Sequence, residues 1–387
     1  MTQAGIHLPM RGLPAGDGTA GDDAAGQDPL REEVRSFLRE QRSAGLFAPG
    51  VDTWLGGFDP RFSSALGDRH WLGMTFPAQY GGGDRSALDR FIVVEELLAA
   101  GAPVAAHWFA DRQVGPSLLR YGTEAQRDRF LPAIAAGRCF FAIGMSEPDS
   151  GSDLASVRTK AVAVTGGWLV SGTKLWTSHA HRCHWMLTLV RTAPGRHDGL
   201  TQLLIPLDSP GIAVRPVTLM TGEHHFNEVV LDSVFVPDEC LLGEVGNGWA
   251  QVNAELAYER SGPERFLSTF QLMVELCRYA AATSDERATA ALADLYSQLW
   301  SLRELSIRVA AALDAGEVPD AAAALVKDLG TRFEQDCVEV VRGAAAVSPG
   351  GRLDALLWYA TLHSPGFTLR GGTSQVLRIL ITRGLGL

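Results

Sequence analysis

Residues 141–153 read Phe-Ala-Ile-Gly-Met-Ser-Glu-Pro-Asp-Ser-Gly-Ser-Asp, and Ser171-Gly-Thr-Lys-Leu-Trp-Thr-Ser178 follows after a short interval. The first stretch puts hydroxyls, carboxylates, Pro148 and Gly151 into a turn between two more apolar runs. The second puts Trp176 and the hydroxyls of Thr177 and Ser178 at the end of a strand-like run. A sheet edge of this kind can hold a flat aromatic cofactor, with an indole beside its ring and hydroxyl and backbone donors at its polar edge. Taken singly, Trp176 reads as a buried strand aromatic, and Ser146 and Ser152 read as turn caps. Their joint spacing favours the cofactor reading. His179, His181 and His184 cluster in the loop that follows. No carboxylate or Cys stands in register with them, so no metal site is expected there.

The elements that must position these residues fall into three blocks. From about residue 28 to 139 the apolar spacing is helical, with Arg31 to Gln41 and Leu88 to Ala100 as helices. Thr123, with Glu124 and Gln126 behind it, predicts a capped helix that stops near Leu131-Pro132. Phe76-Pro-Ala-Gln-Tyr-Gly-Gly-Gly83 reads as a connector. From 140 to 245 the period becomes two, with strands at 159–164, 168–171, 185–190, 201–206 and 228–236. No helix separates them, which predicts an antiparallel barrel or sandwich. From 246 to 387 the chain returns to long amphipathic helices over 248–281, 285–313 and 320–347, broken by Gly and Pro at 349–351 and 365–366. The expected class is α+β, a β-domain between two helical domains. Residues 1–27, rich in Gly, Ala and Asp, read as a disordered tail.

Composition limits the function. The 387 residues are 46% hydrophobic and 20% charged, enough for a sizeable core. A net charge of −10 without a basic block argues against nucleic acid as a partner. Cys139, Cys183, Cys240, Cys277 and Cys337 lie far apart, as expected of reduced thiols in a cytoplasmic protein. No apolar run suits a membrane span, and the N-terminus lacks the pattern of a signal peptide.

Both opening stretches closely resemble the flavin-binding signatures of the acyl-CoA dehydrogenase family. Further resemblances follow in order: Trp71-Leu-Gly with Phe76-Pro and Tyr80-Gly-Gly-Gly; Arg120-Tyr-Gly-Thr-Glu with Phe130-Leu-Pro; Phe226-Asn-Glu-Val-Val-Leu-Asp-Ser-Val-Phe-Val-Pro237; and Gly371-Gly-Thr-Ser-Gln375. The resemblance covers nearly the whole chain after the tail. It implies α,β-desaturation of an acyl thioester with FAD: a base removes the α-proton, and the β-hydrogen leaves as hydride to the flavin N5. By resemblance, Met145, Ser146, Ser152, Trp176, Thr177, Ser178, Thr373 and Gln375 fall on cofactor-contacting positions. Ser152, Tyr258, Arg370 and Gly371 fall on substrate-contacting ones, and His181 falls close to the flavin edge.

The family's usual base is a Glu in the C-terminal loop, where this chain has Gly371. A glycine cannot take a proton, but its N–H can polarise a thioester carbonyl. The resemblance to isovaleryl- and long-chain members moves the base to Glu259, in Leu256-Ala-Tyr-Glu-Arg-Ser-Gly-Pro263. Pro263 cannot donate to the Glu259 carbonyl and its ring clashes there, so the helix should kink at Glu259. A carboxylate at a kink facing an apolar cleft has a raised pKa, which suits a base. The opposing reading is an exposed Glu beside Glu255 and Glu264, and Glu255 is the reserve candidate. Arg370 stands where relatives carry Tyr. It reads equally as a binder of a polar substrate group and as the partner of a carboxylate such as Glu259.

Two departures bear on partners. The family's Arg-x-x-Phe-Gly, which contacts the flavin pyrophosphate across a subunit interface, is not found, and the Gly-rich turn is reduced to Arg342-Gly-Ala-Ala-Ala-Val347. Arg378 is retained. A homo-oligomer, dimer or tetramer, and a heteromer with a related chain both stay open. So do an acyl-carrier-protein thioester in place of an acyl-CoA, flavin-dependent oxygenation, and a non-catalytic subunit that completes a partner's site. The electron acceptor, an electron-transfer flavoprotein or oxygen, is also open.

Overall fold

The computed structural model describes residues 23–317 and 319–386; the side chains of residues 23–28 and 256–259 lie outside that description. The expected tail falls outside the described residues as far as position 22, and helix begins at Asp23. The first block contains α1 (Asp23–Ser43), α2 (Thr53–Gly56), α3 (Pro60–Gly67), α4 (Ala87–Ala99), α5 (Ala105–Phe109), α6 (Gly115–Tyr121) and α7 (Glu124–Ala135). A π-helical turn, Ala110–Val114, joins α5 to α6. The capping box of α7 forms: Thr123 Oγ1 accepts from Gln126 N at 3.2 Å, and Gln126 Oε1 accepts from Thr123 N at 3.0 Å. Gln126 also donates to the carbonyls of Glu239 and Leu241, which ties the helix start to the end of the sheet. The helix does not stop before Pro132. The proline removes one N–H near the last turn, and the fully buried Leu131 and Ile134 hold the helix together around it.

The sheet contains β1 (Phe141–Gly144), β2 (Lys160–Val164), β3 (Gly167–Ser178), β4 (Trp185–Arg191), β5 (Leu200–Pro206), β6 (Ile212–Thr218), β7 (His224–Pro237) and β8 (Leu241–Leu242). Its order is β6-β7-β3-β2-β4-β5-β8, with β1 beside β4. The expected closed antiparallel barrel or sandwich is corrected to one open, mixed sheet. β1 and β2 each run parallel to β4. The chain reaches β4 from β1 only after the β2–β3 hairpin, a connection long enough for parallel pairing. Met186 to Val190 and Leu200 to Ile205 are buried at every position, so the central strands carry apolar runs rather than alternation.

The last block contains α8 (Gly248–Glu259), α9 (Phe270–Thr283), α10 (Glu286–Asp314), α11 (Asp320–Ala344), α12 (Arg352–Phe367) and α13 (Ser374–Gly384). The expected single helix over 248–281 is divided. Gly262 adopts φ −78° and ψ 170°, the extended conformation imposed on a residue before proline, and Pro263 opens a short 3₁₀ turn. The helix therefore ends at Glu259 rather than kinking there. Pro365 and Gly366, expected as breakers, lie in the last turn of α12.

Helices α1 and α4 share one core with α9, α10, α11 and α12, while α7 packs with the sheet in a second core. The first core is crossed by a buried charge network. Arg31 bonds Glu96 and lies 2.9 Å from Glu95; Arg35 reaches Glu96 at 2.8 Å; Arg303 reaches Glu95 at 2.6 Å. It joins α1, α4 and α10 through charges that cannot be separated without cost.

Two buried histidines set an acid limit on the fold. Burial holds His107 down to about 4, with its Nδ1 2.8 Å from Ser63 Oγ. Burial holds His179 down to about 3, with its Nε2 2.6 Å from the Leu55 carbonyl. Both folded pKa values lie below the unfolded value, so their contribution is complete above about pH 6.5 and is lost as pH falls through the folded values. Each should cost about 1.4 kcal/mol per pH unit within that window. Melting temperature should therefore fall steeply between about pH 6 and pH 4. A His107→Asn variant should show a shallower slope; a curve parallel to wild type would remove this cause.

Candidate active site

The two opening sequence stretches meet in space. Lys174 Nζ, on β3, donates to the Met145 carbonyl at 3.0 Å and to Glu147 at 2.9 Å. Leu175 N donates to the Ser146 carbonyl at 2.9 Å. Glu147 also accepts from the N–H groups of Arg158 and Thr159. Burial alone would raise the Glu147 pKa, but Lys174 and these donors hold it below the usual carboxylate range. Lys174 is itself pushed down to about 8 by burial, with Glu147 opposing. Glu147 and Lys174 therefore serve to fix the turn after β1 against β3.

Beyond that junction β3 bulges between Lys174 and Thr177. Trp176 sits in the bulge at φ 62°, a conformation rare for a bulky residue, and its indole is 54% exposed. A strained aromatic presented to solvent is an observation that points to a ligand. Beside it, Thr177 is buried and its Oγ1 has no hydrogen-bond partner, and Ser178 is half-buried. An open indole next to an orphaned hydroxyl fits a flat ring with a polar edge. Met145 and Ser146 are half-buried nearby; Ser152 and Gln375 are exposed; Thr373 caps α13 by accepting from Val376 N. Of the three histidines, His179 bonds Leu55, His181 Nδ1 reaches Asn227 Oδ1 at 3.1 Å, and His184 accepts from Phe140 N. They share no focus.

The C-terminal loop is built on cations. Gly371 adopts φ 70°, and a Cβ there would lie 3.0 Å from an Arg265 guanidinium nitrogen. A side chain at this position is opposed by both conformation and space. Arg260 Nε donates to the Gly371 carbonyl at 3.3 Å. That bond sets the end of α8, and with it the backbone of Glu259, against the loop. The side chains of Tyr258 and Glu259 lie outside the described residues. Arg370 bonds Asp52 at 2.6 Å and lies 4.3 Å over the Trp54 ring. Its carboxylate partner is therefore Asp52, on the loop before α2.

Trp54 is faced by three guanidiniums, Arg112, Arg265 and Arg370, with Glu264 bonded to Arg112 and 3.5 Å from Arg265. Burial would raise the Asp52 pKa, but Arg370 and His363 outweigh it and hold the carboxyl low. Deeper in, burial pushes Glu334 up to about 7 although Arg370 opposes it. Asp52, Trp54 and Arg265 were not singled out from the sequence. Asp52 and Arg370 lie at opposite ends of the chain, and no spacing rule links them.

A cavity of about 430 Å³ opens between α4, the π turn, α6, the Ser261–Glu264 segment and α10. A smaller one of about 50 Å³ adjoins it and is lined by Gln113, Ser117, Ala254 and Glu255. Glu255 is buried and accepts from Gln202 Nε2 at 3.3 Å. The reserve base thus has a polar partner within the sheet.

In chain order the sheet lies between two helical blocks, with an exposed tryptophan at the end of β3 and a glycine loop against the end of α8. Sequence profiles of the acyl-CoA dehydrogenase N-terminal, middle and C-terminal domains match residues 25–138, 142–234 and 246–386. The chain belongs to the acyl-CoA dehydrogenase family, whose members are flavin-dependent oxidoreductases. It is 36% identical over 333 residues to acyl-CoA dehydrogenase FadE34 of Mycobacterium tuberculosis, covering 84% of this chain but 45% of that protein. To acyl-CoA dehydrogenase IpdE1 of the same organism it is 32% identical over 378 residues, covering 92% and 97%. Among solved structures, the Tcur3481-Tcur3483 steroid ACAD matches with a TM-score of 0.84 at 28% identity, covering 94% of this chain and 98% of that one. The ChsE4-ChsE5 complex from Mycobacterium tuberculosis matches with a TM-score of 0.80 at 29% identity, covering 94% and 97%. Among the described residues no helix is long and apolar enough to cross a membrane.

Proposed function

We propose that the chain catalyses α,β-desaturation of a bulky acyl-CoA thioester with FAD, using Glu259 as the base. The observation that carries this reading is the bond from Arg260 to the Gly371 carbonyl. It holds the end of α8 at the loop where the substrate carbonyl must bind. Gly371 supplies a backbone donor to that carbonyl, and the nearby guanidiniums supply a positive field for the charge that develops on its oxygen. Glu259 removes the α-proton. The flavin, when bound, accepts the β-hydrogen as hydride. Trp176, Thr177 and Ser178 form the protein's side of the ring site. A steroid side-chain thioester is the substrate class that the similarity to the steroid ACAD supports.

A second chain is part of this reading. The pyrophosphate-binding motif is absent from the sequence, and two solved relatives are titled as pairs of chains. Trp358, Leu369, Ile379 and Leu385 are exposed apolar residues on and around α12 and α13, which a partner chain could cover. The test is anaerobic mixing of the flavin-loaded protein, alone and co-expressed with a related chain, with steroid side-chain and straight-chain acyl-CoA esters. Loss of the oxidised-flavin absorbance should be fastest with the steroid ester. An absorbance unchanged by every ester, with either preparation, would contradict the proposal.

A further inference from the structure

Behind the loop that carries Arg370 lies a cluster that the desaturation chemistry does not use. Glu223 comes from the turn before β7, His225 from the start of that strand, and His363 from α12. Glu223 Oε2 lies 3.2 Å from His225 Nε2 and 3.3 Å from His363 Nε2. The three donor atoms all lie within 4.8 Å of one another. The edge of a tetrahedron built on metal–ligand bonds of about 2.05 Å is about 3.3 Å. Two of the three edges therefore already have coordination length.

The surroundings also match a metal centre. His225 is 7% exposed, and its Nε2 faces the Glu223 carboxylate at 3.2 Å outside ordinary hydrogen-bond geometry. An ion seated between the two would satisfy both groups. The opposite nitrogen of His363, Nδ1, lies 2.8 Å from Asp52 Oδ2. A carboxylate on the far nitrogen is the usual device for fixing a ligating imidazole. The Tyr359 ring stacks on the His363 imidazole at 4.2 Å and holds its plane. Gly56 keeps the approach clear: a Cβ there would stand 2.6 Å from the Tyr359 hydroxyl and 3.6 Å from His225 Nε2. The Glu223 side chain is 37% exposed, which leaves an entry path from solvent.

We propose that Glu223, His225 and His363 form a binding site for a divalent transition-metal ion of the zinc type, with Asp52 orienting His363. Two imidazoles and one carboxylate suit zinc better than magnesium or calcium, which prefer oxygen ligands. The ion would clamp the start of β7 to α12, the helix that leads into Arg370 and Gly371. Its role is positional: it fixes the base of the loop without touching the reacting atoms. The inference does not depend on the substrate or the base.

The test is zinc and cobalt binding to the full chain after chelation and dialysis. Wild type should retain one zinc per chain through gel filtration, and Co²⁺ should give the intense ligand-field bands of a tetrahedral ion beyond the flavin absorption. His225→Gln and His363→Gln should each abolish retention, and Asp52→Asn should weaken zinc binding by about 10–100-fold. Zinc retained equally by both ligand variants, or no zinc retained by wild type, would overturn the proposal. Should a variant fail to fold, the wild-type cobalt spectrum decides alone. Weak six-coordinate bands, or none, would mean that the cluster is held by protons only.

Discussion

Replacing Glu259 by Gln is expected to lower kcat for thioester oxidation by about 10²–10⁴-fold while leaving KM within a few-fold of wild type. Glutamine keeps the size and polarity of the side chain and removes only its capacity to take the α-proton. The binding groups, Gly371 and the cations behind it, stay in place. Glu255→Gln serves as the control, because Glu255 is buried against Gln202 on the sheet. Its loss should be much smaller if Glu259 is the base. Moving the carboxylate to the family's usual loop position should not restore activity. At position 371 a side chain meets φ 70° and a guanidinium of Arg265 3.0 Å from its Cβ. A glutamate there would be strained and drawn into an ion pair. Steady-state kinetics of Glu259→Gln, Glu255→Gln and the double variant Glu259→Gln/Gly371→Glu checks all three. A slow Glu255→Gln beside an active Glu259→Gln would exchange the two assignments.

The second large effect is on stability. Glu95→Ala should destabilise the protein by about 3–5 kcal/mol. The Glu95 side chain is 1% exposed and receives Arg31 at 2.9 Å and Arg303 at 2.6 Å. Its removal leaves Arg303 with Glu304 at 3.6 Å and leaves Arg31 sharing Glu96 with Arg35. The excess positive charge then sits between α1, α4 and α10, in the core that supports the larger cavity. Replacing Arg31, Glu95 and Arg303 together by apolar residues of similar volume should recover most of the loss, because the cost lies in the uncompensated charge. Calorimetric melting of the single and triple variants checks this. An unchanged midpoint in Glu95→Ala would show that the network carries little of the stability.

The three-block layout and the two stretches that meet at Ser146 and Leu175 were legible because they rest on local signals. The change of period near residue 140, the capping box at Thr123 and the paired stretches around Ser146 and Trp176 each need only a few neighbouring residues. The sheet topology was less legible. β1 and β8 are short, and the parallel pairing of β1 with β4 depends on where a long connection returns. Pro263 was read correctly as a helix disruptor, but not how far it acts: it holds the residue before it in the extended conformation, so the helix stops rather than bends. Arg370 shows the limit most plainly. The sequence offered two roles for it and could not name Asp52, because no local rule joins the first loop to the last. The same holds for His225 and His363, which lie on separate elements.

The most direct test of the central claim is exchange of the α-proton itself. A thioester that cannot lose a β-hydride, such as a 3-thia acyl-CoA, is incubated with the protein in D₂O, and deuterium at the α-carbon is read by NMR. The account predicts rapid exchange with wild type and with Glu255→Gln, and none above background with Glu259→Gln. Exchange that persists in Glu259→Gln, or disappears in Glu255→Gln alone, would contradict it.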